Sequence, residues 1–167
     1  NVKKNTVKTP TRAEKGFIIA GQETDGSVTP LDLDMNWIVS KKKDFLGKRS
    51  FLRKDTSRKN RKKLVGIITK DPKVVLPEGA QLVKDPHGSI PVNMEGHVTS
   101  SYYSATLKRS IALALINGGL ENKGKTLYAP IEGSIIPVEV TSPVFYDPKE
   151  DRQHAEKSNN FKEIASS

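Results

Sequence analysis

The spacing of apolar residues changes near residue 64. From there on, short apolar runs alternate with turn signals at near-regular intervals. Leu64-Val65-Gly66-Ile67-Ile68 predicts a buried strand, and Gln81-Leu82-Val83 a short half-buried one. His97 to Ser100 with Tyr102-Tyr103, Ile111 to Ile116, Leu127-Tyr128-Ala129 and Ile135 to Val140 predict four more. Asp71-Pro72, Pro77-Glu78-Gly79, Asp85-Pro86-His87-Gly88, Asn117-Gly118-Gly119 and Glu132-Gly133 separate them with residues that favour turns. Short strands punctuated this way predict a small antiparallel barrel or sandwich.

The first 63 residues read differently. Residues 1–11 are polar and predict a lead-in without regular structure, and 12–20 the end of a short helix. Gly21, Asp25-Gly26 and Pro30 predict loops over 21–36. Trp37-Ile38-Val39 predicts a short strand. Asp44 is placed to cap a helix whose apolar side holds Phe45, Leu46, Phe51 and Leu52. Residues 54–63, almost wholly polar, predict a hinge, and residues 151–167 a polar tail. The division expected is a lead-in over 1–11, an α+β segment over 12–60, a β-barrel over 61–150 and a tail.

Charge sharpens that division. Residues 41–63 hold 12 basic and 2 acidic side chains, a net of +10, against +9 for the whole chain. One stretch therefore carries all of the excess. It suits an acidic ligand, an acidic protein or nucleic acid, and equally a solvated linker. No stacking platform or helix-turn-helix pattern accompanies the charge, so nucleic acid is the weakest of these readings.

The chain has no Cys, which excludes disulfides and thiolate chemistry and fits a reducing, cytoplasmic setting. No apolar run approaches the roughly 20 residues of a membrane span, and no signal peptide is evident. A first residue other than Met suggests a piece of a longer polypeptide. Phosphate-binding glycine motifs and nucleophile elbows are absent, and His87, His97 and His154 share no metal-ligand spacing. Glu14, two residues from Arg12, reads as a general base or, more simply, as half of an ion pair. The apolar turn Pro143-Val144-Phe145-Tyr146 reads as an anchor for another subunit.

Several ordered motifs go beyond such generic features. They include Arg12-Ala13-Glu14-Lys15-Gly16-Phe17, Thr29-Pro30-Leu31, Met35 to Val39, Lys43 to Lys48, Gly96 to Ser100, Leu107 to Ala114 and Pro137 to Val140. Together they resemble the aminomethyltransferase (glycine cleavage T-protein) family. Gly21 to Gly26, Trp37 to Lys43 and Ser142 to Pro148 are similar to its heterotetrameric sarcosine oxidase alpha-subunit branch. The resemblance covers residues 12–152. It implies an α+β, mostly β chain: the second half of a folate-binding domain, followed by a small antiparallel β-barrel.

The resemblance also implies a reaction. A flavin oxidises sarcosine, and tetrahydrofolate captures the resulting imine. The products are glycine, hydrogen peroxide and 5,10-methylenetetrahydrofolate. Arg12 matches the family's folate-contacting arginine, and Trp37 an aromatic position lining the folate site. A core indole is the alternative role for Trp37. The family's catalytic aspartate, its pterin-binding glutamate and its flavin and dinucleotide motifs have no counterpart in these residues. The chain alone is therefore expected to be inactive and to work among the other subunits of a sarcosine or dimethylglycine-type oxidising enzyme.

Overall fold

The computed structural model describes residues 10–88 and 90–149. Six strands carry the architecture: β1 (Lys62–Thr69), β2 (Gln81–Val83), β3 (Met94–Ser104), β4 (Arg109–Asn117), β5 (Thr126–Ile131) and β6 (Ser134–Thr141). They close into an antiparallel barrel in the order β1-β4-β3-β2-β5-β6, with β6 pairing back onto β1. Each run singled out after residue 64 lies in one of these strands.

Side-chain alternation explains how the barrel fills. Val65 and Ile67 of β1, Ala112, Ala114 and Ile116 of β4, and Val138 and Val140 of β6 point into one core with Leu82, Val98, Leu127 and Ala129. A six-stranded barrel has little interior volume, and the alternate alanines of β4 fit that constraint. The other face of the same strands is also covered. Leu64, Leu113 and Leu115 pack with Leu33 in a second cluster, joined by Ile18, Val28, Met35 and Phe145. β4 is thus buried on both faces, which is why Ile111 to Ile116 reads as an unbroken apolar run.

What lies on the outer face is the N-terminal segment. A one-turn helix, α1 (Pro10–Glu14), opens with proline at its first position, where the missing N–H costs nothing. The backbone carbonyl of Glu14 accepts hydrogen bonds from the N–H groups of Phe145 and Tyr146, at 2.9 and 3.0 Å. Lys15 Nζ reaches the Asp147 carboxylate at 3.0 Å. The chain after β6 therefore straps α1 to the barrel. Phe145 belongs to the second apolar cluster, so the turn at 143–146 is half-buried against its own chain and is not the free anchor expected.

Two local expectations fail for identifiable reasons. Residues 36–38 form a 3₁₀ turn, not a strand. The barrel is closed and offers no free edge for another strand to join. The capped helix after Asp44 does not form either. Gly47 takes the left-handed conformation (φ 92°), and only a 3₁₀ segment, Lys48–Leu52, follows it. Phe45 and Phe51 meet edge to face, with ring centres 6.4 Å apart, outside any core. Pro10 and Thr11 belong to α1, while residues 1–9 of the expected lead-in and the tail at 151–167 lie outside the described residues.

Candidate functional site

The polar centre of the molecule lies where α1 meets β3. The strand carries a bulge. Val98 pairs with Ala114 and Ser100 with Leu113, which leaves Thr99 as the extra residue. As a result Thr99 and Ser100 both reach the same carboxylate. Beyond the bulge, Ser100, Tyr102 and Ser104 follow the two-residue period of a strand and line its outer face with hydroxyls.

Glu23 fills the pocket this creates and is fully buried. The loop before it doubles back through a bridge between Ala20 and Thr24, with Gly21 in the left-handed region. Its carboxylate accepts hydrogen bonds from the Ile19 N–H at 2.7 Å, from Thr99 Oγ1 at 3.0 Å and from the Ser100 hydroxyl. Arg12 stands above it. One guanidinium nitrogen donates to the Phe17 carbonyl and lies 3.5 Å from Glu23. The other donates to Ser100 Oγ at 3.1 Å and to the Tyr102 hydroxyl at 3.3 Å. The Arg12 side chain keeps 18% of its surface. It is therefore an oriented cation held at the protein surface, and its two terminal nitrogens already serve internal acceptors.

Glu14 is not its ion-pair partner. It is buried and accepts a hydrogen bond from Ser104 Oγ at 2.5 Å. Glu23, eleven residues after Arg12, takes the place expected of Glu14. The alternating hydroxyls of β3 are the trace of this in the sequence, and they read equally well as the water-facing side of a half-buried strand, so they do not single out Glu23.

Trp37 sits elsewhere. Its indole is 80% exposed, which rules out the core role, and it borders an open cavity with Asn36, Val39, Ser40 and Lys41 to Lys43. Arg12 does not line that cavity. The structure thus does not bring the two residues together in one cavity. Next to Trp37, sharing Asn36, Val39 and Lys41, lies a cleft of about 560 Å³. Leu31, Val39 and Phe51 supply its apolar lining, while Lys41, Arg58, Lys59 and Lys63 supply cations.

Arg61 holds this basic region to the rest. Its Nε lies 2.9 and 3.1 Å from the two Asp32 oxygens, one terminal nitrogen lies 2.8 Å from Asp32, and the other reaches Asp55 at 3.0 Å. Burial alone would raise the Asp32 pKa. Hydrogen bonds from Arg61 and Thr29 outweigh it and hold the carboxyl below its ordinary value. A depressed carboxyl contributes stability that is complete above the ordinary carboxylate range and is lost as pH falls through it. Urea midpoints measured from about pH 5 down to about pH 3 should fall, and should fall less steeply in Arg61→Met. An equal slope in the variant would exclude this pair as a source of acid sensitivity.

His97 borders a second cleft with Asp25 and Lys62. Burial and the charge of Lys62 push its pKa down against the opposing pull of Asp25, which favours neutral imidazole. Among the described residues no group of three or more His, Cys, Asp or Glu could hold a metal ion. None of the described helices is long and apolar enough to cross a membrane.

The barrel has recognisable relatives. Residues 62–147 match the glycine cleavage T-protein C-terminal barrel domain family. The sarcosine oxidase subunit alpha of Corynebacterium sp. (strain P-1) is 50% identical over 146 residues, covering 85% of this chain and 15% of that protein. The Rhizobium meliloti (strain 1021) sarcosine oxidase subunit alpha is 34% identical over 146 residues, covering 86% and 15%. The chain therefore spans about 15% of the length of these curated relatives. The glycine cleavage system aminomethyltransferase T from Bartonella henselae superposes with a TM-score of 0.65 at 24% identity, over 80% of this chain and 36% of that one. That likeness shows the shared fold. With half of its length in the matched domain, the chain belongs to the glycine cleavage T-protein C-terminal barrel family.

Proposed function

We propose that the chain is the C-terminal part of a sarcosine oxidase alpha subunit and contributes one wall of a tetrahydrofolate site. Identity of 50% to a sarcosine oxidase subunit alpha carries this reading. On it, sarcosine is oxidised to an imine elsewhere in the parent enzyme. Tetrahydrofolate then captures the imine, which releases glycine and 5,10-methylenetetrahydrofolate. This chain binds and orients folate; it supplies no redox group. The parent is an oxidoreductase of one-carbon metabolism, placed in the cytoplasm, with other subunits as partners.

The local chemistry suits part of that task. Folate joins a flat heterocycle to an anionic tail. Arg12, fixed from beneath by Glu23 and from the side by Ser100 and Tyr102, presents positive charge in a defined orientation. Trp37 offers an open ring face beside three lysines. Since the two do not share a cavity, the remaining contacts come from the rest of the parent enzyme, and this chain alone is inactive.

The test uses the full-length subunit assembled with its companions. Arg12→Lys keeps the charge but loses the planar fork. Tetrahydrofolate should bind about tenfold or more weakly. Sarcosine oxidation should continue at its normal rate, with the uncaptured imine hydrolysing to formaldehyde and glycine. Unchanged tetrahydrofolate affinity in Arg12→Lys would remove Arg12 from the site. A parent enzyme that never forms methylenetetrahydrofolate would refute the folate reading itself.

A further inference from the structure

The hydrogen bonds of Arg12 leave little for a ligand to take from it directly. A guanidinium carries two hydrogens on each terminal nitrogen and a fifth on Nε. One terminal nitrogen faces the Phe17 carbonyl and Glu23 Oε2, the other Ser100 Oγ and the Tyr102 hydroxyl. The four terminal hydrogens thus meet four internal acceptors, and only Nε has none among the described residues. A bidentate grip on a carboxylate takes two parallel N–H groups. Here it would draw on bonds that already fix the side chain.

The free donor belongs to Tyr102. A tyrosine hydroxyl has one hydrogen and can also accept. Its oxygen accepts from Arg12 at 3.3 Å, so its own hydrogen is directed to another group. Among the described residues nothing receives that hydrogen. The side chain is half-buried on the outer face of β3, with its ring centre 5.8 Å from the central carbon of the guanidinium. A tyrosine hydroxyl taken out of bulk water ordinarily finds a partner. This one is also strengthened as a donor, because a hydrogen bond accepted from a cation polarises the O–H. A donor backed by a fixed cation favours an oxygen acceptor that is anionic or strongly polarised. Folate has both kinds, in the carboxylates of its tail and the carbonyl of its heterocycle.

We infer that Tyr102 is the residue that donates to a folate oxygen at this site, and that Arg12 is a positioning residue acting through it. This rests on the folate part of the proposed function. Glu23, Ser100 and the Phe17 carbonyl hold Arg12, Arg12 holds the phenol oxygen and supplies the charge behind it, and Tyr102 makes the contact. Arg12→Lys then weakens folate binding because an ammonium cannot serve the phenol and the other acceptors together.

The test uses the full-length subunit in its assembled complex. Tyr102→Phe keeps the ring and removes the hydroxyl. Tetrahydrofolate should bind about tenfold or more weakly, with the rate of sarcosine oxidation unchanged. Ser100→Ala takes a different acceptor from the same Arg12 nitrogen and leaves the hydroxyl in place, so its effect on affinity should be clearly smaller. In the Tyr102→Phe background, Arg12→Lys should weaken binding little further. 3-Fluorotyrosine at position 102 gives a readout apart from affinity. Its fluorine resonance should move when tetrahydrofolate is added, and the same label at Tyr103, on the opposite side of the strand, should not respond. Repeating the titrations with tetrahydropteroate, which lacks the glutamate tail, locates the acceptor. A Tyr102→Phe penalty that persists assigns the ring carbonyl, and one that vanishes assigns a tail carboxylate. Unchanged affinity in Tyr102→Phe would overturn the inference, as would equal weakening by Ser100→Ala or full additivity with Arg12→Lys. Normal binding in Tyr102→Phe beside weakened binding in Arg12→Lys would leave the folate reading intact and remove only the role of Tyr102. An unsubstituted complex that does not bind tetrahydrofolate would refute both.

Discussion

Gly66→Ala is expected to cost about 3 kcal/mol or more, the upper end for forcing one extra carbon into a packed structure. The reason is local and specific. A Cβ on residue 66 would lie 2.1 Å from the Ser142 carbonyl oxygen and 2.8 Å from both the Ser142 carbonyl carbon and the Phe145 ring. Two of those obstacles are backbone. Neither side can easily move away, because Gly66 pairs with Leu113 on one side and Thr141 on the other, and Ser142 directly follows Thr141. Relief requires lifting the strap that follows β6. That would release Phe145 from the outer apolar cluster and loosen the hydrogen bonds from Phe145 and Tyr146 to the Glu14 carbonyl. The damage would therefore spread from the barrel to α1 and to Arg12. Gly26→Ala is the matched control, since no atom lies within 4 Å of the added carbon, and it should change stability by no more than about 0.5 kcal/mol. Urea unfolding of the two variants checks the pair, and equal midpoints would contradict the packing described for the strap.

The same comparison explains which parts of the molecule could be read from sequence. The barrel was legible because each strand carries its own signal. β4 shows an unbroken apolar run because both of its faces are covered, and the turns between strands use residues that few other conformations favour. Arg12 was legible as an important cation. Its partner was not, because Glu14 is nearer in sequence, whereas Glu23 reaches Arg12 only when the loop at 17–24 folds back on itself. Periodicity cannot report that return. Residues 34–63 were the least legible. Their apolar side chains suggested a strand and a helix, each with a buried face. In this chain those faces have nothing to pack on, so neither element forms. Only 3₁₀ turns remain, with Trp37 and Leu46 facing water. Local pattern predicts regular structure only when a core is available to reward it.

Replacing Glu23 should have an effect as large as that of Gly66→Ala, by a different route. The carboxylate is fully buried and satisfies three donors from three places: Ile19 in the loop, Thr99 at the bulge and Ser100 beside it. Hydrogen bonds to a charged acceptor are about twice as strong as neutral ones. Glu23→Ala strips the Ile19 N–H of its carboxylate acceptor, leaves Thr99 Oγ1 with the Leu113 carbonyl at 3.1 Å and Ser100 Oγ with Gln22 Oε1 at 3.5 Å, removes the counter-charge beneath Arg12 and opens a cavity. A loss of about 3–5 kcal/mol is expected, as for breaking a buried charged pair. Glu23→Gln separates charge from connectivity. Its amide oxygen can still accept from the loop N–H or from one hydroxyl, while its NH₂ turns one acceptor site into a donor that faces Arg12. The cost should be smaller, about 1–3 kcal/mol. The ordering Ala worse than Gln is the decisive result. If Gln were as damaging as Ala, the negative charge itself, through Arg12, would dominate the site. If both were mild, the fold-back of residues 17–24 would have to be held by something other than Glu23. Because β3 supplies two of the three donors, Thr99→Ala and Ser100→Ala should each cost less in the Glu23→Ala background than alone. A double-mutant cycle measures that coupling directly. Coupling of about 1 kcal/mol or more would establish that a single carboxylate ties the Arg12 loop to the barrel bulge, so that the orientation of the candidate ligand-binding arginine is set by the same strand irregularity that shapes the barrel.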